Sequence, residues 1–196
     1  MKNKTNIVLT GVGGQGVITA ANILGKAAVN AKANVYASEV HGMAQRGGSV
    51  SCTVRIGKIS GSLVASGTAD AILSTEPIEA LRYIQYANKQ TKIITDINPV
   101  IPFTVAALGE EYPSLEEVYK EIESRAKLYK IDALKIAKES GAAITKNIVM
   151  LGALEASGAL PFKKEVLINT ILKNTPAKFK EMNKKAFQNG FNAFKK

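Results

Sequence analysis

The chain has 196 residues, 46% apolar and 21% charged, with a formal net charge of +10. Those proportions fit a folded globular chain rather than a disordered tract, and no apolar run reaches the roughly 18 to 20 residues that span a bilayer. With one cysteine, Cys52, and one histidine, His41, the chain has no internal disulfide. It also lacks the about four thiolates of an iron–sulfur cluster and the Cys and His set of a zinc site.

The length suits one domain over residues 1–196, with a single sizeable core. Met1 to Lys4 leads straight into a strand with no signal-type apolar segment, so a cytoplasmic location is expected. The charge is uneven. Lys163 to Lys196 holds nine lysines against Glu165 and Glu181, a balance of +7 that leaves +3 for the first 162 residues. No arginine and no recognition motif accompanies that block, so nucleic acid is not its expected partner. A solvated helical face and a strip meeting an acidic protein surface are the two readings that remain.

In chain order, Ile7-Val8-Leu9 reads as a strand running into Gly11-Val12-Gly13-Gly14-Gln15-Gly16, a G-x-G-x-x-G turn. Val17, Ala20, Ala21, Leu24 and Ala28 then form the stripe of a helix laid on a sheet. Glycines at such a corner allow positive φ and close approach, and the free N–H groups of the helix start favour an anion or a carbonyl. Val35 to Val40 is the next strand. Glu39 lies 23 residues past Gly16, near where a dinucleotide-binding fold places its ribose-binding acid. NAD or FAD binding and a plain tight turn both fit this segment.

A second glycine turn follows: His41-Gly42-Met43-Ala44-Gln45-Arg46-Gly47-Gly48. His41 has the side chain whose ordinary pKa suits acid–base work, though no partner is visible in sequence and a structural hydrogen bond is the simpler role. Arg46 precedes a bendable backbone and could grip a carboxylate or phosphate with its planar fork, or serve as an ordinary surface arginine.

Ser49 to Gly57 alternates Val50, Cys52, Val54 and Ile56 toward one face, so Cys52 is expected as a buried small hydrophobe. Gly57 to Gly61 reads as a turn into a short strand, Ser62 to Ala65, which would complete an inserted hairpin. Next come a strand at Ala71 to Ser74, a helix from Glu76 or Pro77 to about Ala87, and a strand at Lys92 to Asp96. Glu79 and Arg82 are spaced for a solvated ion pair. Asp96 and Asn98 sit where α/β folds put ligand sites, although capping or turn roles suit them better.

Asn98-Pro99-Val100-Ile101-Pro102 cannot continue a helix. Ser114-Leu115-Glu116-Glu117 is a capping box for a helix to about Ala126, Leu128 to Ile131 a strand, and Asp132 the cap of a helix ending at Gly141. Asn147 to Ala156 reads as a tightly packed small-residue helix. Two helices follow Pro161 and Pro176, the last with a core or subunit-contact stripe of Phe179, Met182, Ala186, Phe187 and Phe194. The pattern is α/β: a three-layer α/β/α fold with a mixed, mostly parallel sheet and a helical C-terminal segment.

The run Ser38 to Val50 resembles the signature of the small (beta) subunit of indolepyruvate ferredoxin oxidoreductases. Gly11 to Gly16 with Ile18 to Gly25 is similar to the gamma domain shared by 2-oxoacid:acceptor oxidoreductases. Further matches are Ala69 to Leu73, Glu76 to Arg82, Asn147 to Ala153, Leu160-Pro161 and Asn183 to Gly190, so the resemblance spans nearly the whole chain. It implies oxidative decarboxylation of an aryl pyruvate with coenzyme A, giving an aryl-acetyl-CoA, carbon dioxide and reduced ferredoxin.

The same resemblance implies that thiamine diphosphate, Mg and the iron–sulfur clusters sit on a large (alpha) subunit and none on this chain. It makes ferredoxin a partner through the complex only, with no membrane and no nucleic acid. The residues implied to face ligand or partner are Gly11, Gly13, Gly14, Gln15, Gly16, Glu39, His41, Gly42, Met43, Gln45, Arg46, Gly47 and Gly48. No catalytic residue and no metal ligand is assigned. An independent NAD- or FAD-binding oxidoreductase and a cofactor-free assembly subunit are the alternatives.

Overall fold

The computed structural model describes residues 3–42, 47–101 and 111–195. Strands β1 (Lys4–Val12), β2 (Val35–His41), β3 (Ser49–Gly57), β4 (Ala71–Ser74), β5 (Lys92–Asp96) and β6 (Lys127–Ile131) form one sheet in the order β2-β3-β1-β4-β5-β6. β1, β4, β5 and β6 pair in parallel, while β3 runs antiparallel to both β1 and β2. The mixed α/β architecture expected from the sequence is present.

Helices cover both faces. α2 (Pro77–Arg82) and α3 (Leu115–Arg125) bury Val118 and Ile122 with Val8, Ile72 and Ile93 on one side. α1 (Val17–Asn30), α4 (Ala133–Ser140), α5 (Lys146–Ala156), α6 (Lys164–Lys173) and α7 (Lys180–Phe194) cover the other. β1 is central, so it is buried along its length after Lys4, including the polar Thr5, Asn6 and Thr10 that flank the apolar run Ile7-Val8-Leu9. α5 is buried from Ile148 to Leu154, wedged between sheet and α7. A Cβ at Gly152 would overlap the Phe187 carbonyl, and one at Gly190 the Val149 carbonyl, so these two helices touch backbone to backbone.

Three local expectations fail, and the C-terminal stripe keeps its core or subunit-contact reading. Ser62 to Ala65 is not a strand. Both edges of β3 are already taken by β1 and β2, so the segment is held by side chains instead. Thr53 Oγ1 donates to the Ser62 carbonyl at 2.9 Å, and Arg55 Nη1 donates to those of Gly61 and Leu63 at 2.9 and 2.7 Å. The helix expected to reach Ala87 stops at Arg82 and gives way to a 3-10 turn, Ile84–Tyr86. Ser114 occupies the N-cap position of α3 without a side-chain capping bond. The C-terminal aromatic stripe is split, with Phe187 in the core, Phe194 packed on Tyr129 at 4.4 Å between ring centres, and Phe179 40% exposed.

Candidate functional site

The carboxyl ends of the parallel strands bring the first glycine turn and the start of β3 to the same end of the sheet, because β3 begins where β1 ends. Gly13 N–H donates to the Gly48 carbonyl at 2.8 Å, and Gly47 N–H points back at the Gly13 carbonyl at 3.5 Å. The two glycine turns are therefore one bonded unit. Gln15 folds its side chain inward: its Oε1 accepts from Val12 N–H at 2.8 Å and from Thr75 Oγ1 at 2.7 Å. A Cβ at Gly11 would overlap that same Thr75 hydroxyl, so glycine is required there by close approach. Gly16, the N-cap of α1, has φ 80 and ψ 23 and lies over Asn147, whose Nδ2 would be 3.1 Å from a Cβ.

No side chain caps α1, and its first turn holds no acid. Its leading N–H groups and the positive end of its dipole open onto a cleft of about 460 Å³ walled by Gly13, Gly14, Thr19, His41 and Val50. An anionic or carbonyl group entering that cleft would meet oriented backbone donors.

Beneath the turns lies a buried polar layer. Asp96 is fully buried and pairs with Lys146 Nζ at 2.7 Å, while Lys146 also donates to the Thr75 carbonyl at 3.2 Å. The other Asp96 oxygen accepts from Asn98 Nδ2 at 2.9 Å and from Ala133 N–H at 3.1 Å, capping α4. Lys146 thus ties the start of α5, and Asn147 with it, to the ends of β4 and β5.

On the other face of the sheet, Glu79 accepts from Ser49 Oγ at 2.5 Å and from Arg82 Nε at 3.0 Å. Glu76 caps α2 through the Glu79 N–H and also accepts from the Tyr112 hydroxyl. Burial, and then that bond to Glu76, push the Tyr112 hydroxyl far above the ordinary tyrosine range, so it remains a donor.

Residues 6–193 match the family model described as pyruvate ferredoxin/flavodoxin oxidoreductase. The chain belongs to that family. It is 46% identical over 193 residues to indolepyruvate oxidoreductase subunit IorB of Pyrococcus horikoshii, covering 97% of this chain and 96% of that one. The fold is shared with the gamma subunit of a keto/oxoacid ferredoxin oxidoreductase from Geobacter sulfurreducens, with a TM-score of 0.70, 26% identity, and 97% and 98% of the two chains covered. A 2-oxoglutarate:ferredoxin oxidoreductase from Magnetococcus marinus contains the same fold within a longer chain. There the TM-score is 0.74 at 20% identity, with all of this chain matching 32% of that one. This pyruvate ferredoxin/flavodoxin oxidoreductase family member is thus built as a subunit of an oxidoreductase complex.

Within this family member the residues expected at the site fall in four places, with Gly42 exposed beside His41. Gly11, Gly13, Gly14, Gly16, Gly47 and Gly48 come together in the bonded turn, and Gln15 braces it rather than facing outward. His41 borders the cleft, exposed, with Nδ1 3.2 Å from the Gly42 carbonyl. Glu39 lies on the exposed edge strand β2, opposite Cys52 of β3. β3 stands between β2 and β1, so Glu39 is two strand spacings, about 9.5 Å, from the strand that carries the turn. A dinucleotide fold places that acid on the neighbouring strand, which this topology does not do. Met43, Gln45 and Arg46 lie outside the described residues.

Sequence reasoning missed Glu79 and Lys146. The spacing of Glu79 to Arg82 predicts half of a solvated ion pair, yet Glu79 is buried and holds Ser49, the residue after the second turn. Helical spacing says nothing of a contact 30 residues upstream. Lys146 gives no sequence signal beyond its place before Asn147. Asp96 has the capping role expected of it, with the ion pair added.

Proposed function

We propose that this chain is the small subunit of an indolepyruvate, or more broadly aryl-pyruvate, ferredoxin oxidoreductase, and that its paired glycine turns form one wall of the site where coenzyme A or the 2-oxoacid enters. The overall reaction is R–CO–COO⁻ + CoA–SH → R–CO–S–CoA + CO₂ + H⁺, with two electrons passed to ferredoxin. The observation that carries the reading is the Gly13–Gly48 union at the mouth of an uncapped helix, in a chain similar along its length to IorB subunits.

Among the described residues no group of three or more His, Cys, Asp or Glu could hold a metal ion, and burial followed by the charge of Glu39 pushes the Cys52 thiol up to about 11. In this reading thiamine diphosphate, its metal and the iron–sulfur clusters would be held by the large subunit. This chain's own residues would orient an anionic or carbonyl group at the α1 N–H groups and exclude water from the reacting carbon. Among the described residues no helix is long and apolar enough to cross a membrane, and the assembly is proposed to be cytoplasmic.

Reconstitution tests this. The chain plus its large subunit should reduce ferredoxin with an aryl pyruvate and coenzyme A, and neither subunit should do so alone. Full activity from the large subunit by itself would overturn the reading. If this chain raises activity without changing the KM for coenzyme A or 2-oxoacid, the assembly-only role replaces the site-wall role. NAD or FAD binding by the isolated chain would favour the dinucleotide alternative, which the strand order already opposes.

A further inference from the structure

A second depression opens beside the glycine-turn cleft. It holds about 240 Å³ between the 3-10 turns Ala143–Thr145 and Ala177–Phe179, floored by Ile23, Ile148 and Ile171. Ile144 on one rim is 84% exposed and Phe179 on the other 40%. Other exposed apolar residues, such as Val40 and Leu63, do not line this groove. Two large apolar rims above an apolar floor have the form of a seat for an incoming side chain.

The surrounding charge is basic. Lys26 Nζ bonds Asn174 Oδ1 at 2.6 Å on the groove wall, and Lys178 Nζ lies 4.8 Å from the centre of the Phe179 ring. Lys180, Lys184 and Lys185 are exposed on α7 with Glu181 among them. Thr19 lines both this groove and the glycine-turn cleft, so a body seated here would stand at the mouth of that cleft.

We infer that this groove receives an acidic segment of the large subunit, which inserts an apolar side chain between Ile144 and Phe179 and sets carboxylates against Lys26 and Lys178. The inference rests on the proposed subunit role and adds its docking face. A second copy of this chain would bring two +10 molecules together through their lysine-rich sides, which opposes that occupant. Nucleic acid would satisfy the lysines and leave the apolar groove empty. An acidic segment with an apolar anchor satisfies both, and the lysine field would speed its capture at low salt.

The test measures binding of the full-length chain to the purified large subunit at about 0.02 M and 0.3 M salt. Ile144→Ser should weaken binding about tenfold at both salt concentrations, since the lost contact is apolar. Lys178→Glu should weaken it more at low salt than at high. Val40→Ser, at an exposed apolar position on β2, should bind like wild type. If wild type binds and Ile144→Ser binds equally well, the groove is not the docking face and the subunit role stands. If Val40→Ser is the variant that loses binding, the edge strand takes the groove's place. Wild type that fails to bind the large subunit overturns the subunit role and this inference together. Binding of a duplex oligonucleotide in competition with the large subunit, lost in Lys178→Glu and kept in Ile144→Ser, would overturn the inference in favour of nucleic acid.

Discussion

Gly13 donates to the carbonyl of Gly48, joining two turns 35 residues apart in sequence. Each turn is anchored separately underneath, the first through Gln15 to Thr75 and the second through Ser49 to Glu79. Both anchors belong to the short stretch after β4. A change at Thr75 or Glu79 would therefore be felt in both turns, although neither residue lines the cleft.

Thr75 supplies the sharpest test of that construction. Gly11→Ala places a methyl group on its hydroxyl and should destabilise the fold by about 1 to 3 kcal/mol, as overpacking of a rigid site does. Thr75→Ala removes the nearest contact, leaving Gln15 Oε1 and Val17 Cγ2 each 2.9 Å away. The double variant should lose less than the two single losses added together, by at least about 0.5 kcal/mol in denaturant melts. Strict additivity would mean that the turn relaxes without touching Thr75.

Cys52 should behave as core. It is buried and its thiol is pushed up to about 11, by burial first and then by Glu39. At pH 7.5 the thiolate is scarce and shielded, so a maleimide should label it only after denaturation. Rapid labelling of the native chain would show that the edge strand β2 comes away from β3.

The strands and most helices were legible because their apolar spacing is local information. The stripe Val17, Ala20, Ala21, Leu24 and Ala28 is buried as read, and so is the alternation from Val50 to Ile56. Asp132 caps α4 through the Lys135 N–H. What spacing could not supply was the neighbour across the sheet. Ser62 to Ala65 has strand-like composition but no free strand edge to join, and Glu79 looks solvated until β3 brings Ser49 against it. The two glycine motifs were visible one by one. Their union was not, since a backbone bond leaves no trace in side-chain types.

Asp96 and Lys146 form a buried pair at the base of the site, with side-chain exposures of 0% and 15%. Lys146→Met leaves the carboxylate facing only Asn98 and the Ala133 N–H, and should cost about 3 to 5 kcal/mol. Asp96→Asn with Lys146→Met removes both charges and should recover part of that loss. Urea melts measure it. A single variant within about 0.5 kcal/mol of wild type would mean that water reaches the pair and screens it.

Glu155, on α5, should make the fold pH-dependent. Burial, then the nearby charge of Glu165, raise its carboxyl to about 7, with Lys164 opposing, and its Oε2 is buried without a hydrogen-bond partner. Lys164 does not neutralise it by direct contact: its Nζ bonds Gln188 Oε1 at 2.7 Å and lies 4.0 Å from the centre of the Phe191 ring. The folded chain therefore holds this proton more tightly than the unfolded chain does. Its stabilising effect is complete below the unfolded value of about 4.5, fades as pH rises, and is gone above about 7. Glu155→Gln cannot ionise, so the stability difference between variant and wild type should shift in the variant's favour from pH 4.5 to 7 and then level off. A tenfold difference in proton affinity is worth roughly 1.4 kcal/mol, and the partial exposure of Glu155 holds the expected change to about 1 to 2 kcal/mol. Any fixed cost of the amide is the same at every pH and cancels from that trend. Denaturant melts of both proteins at pH 4.5, 6, 7 and 8 would show it, and a difference that stays flat across the series would place Glu155 in contact with water and with an ordinary carboxylate pKa.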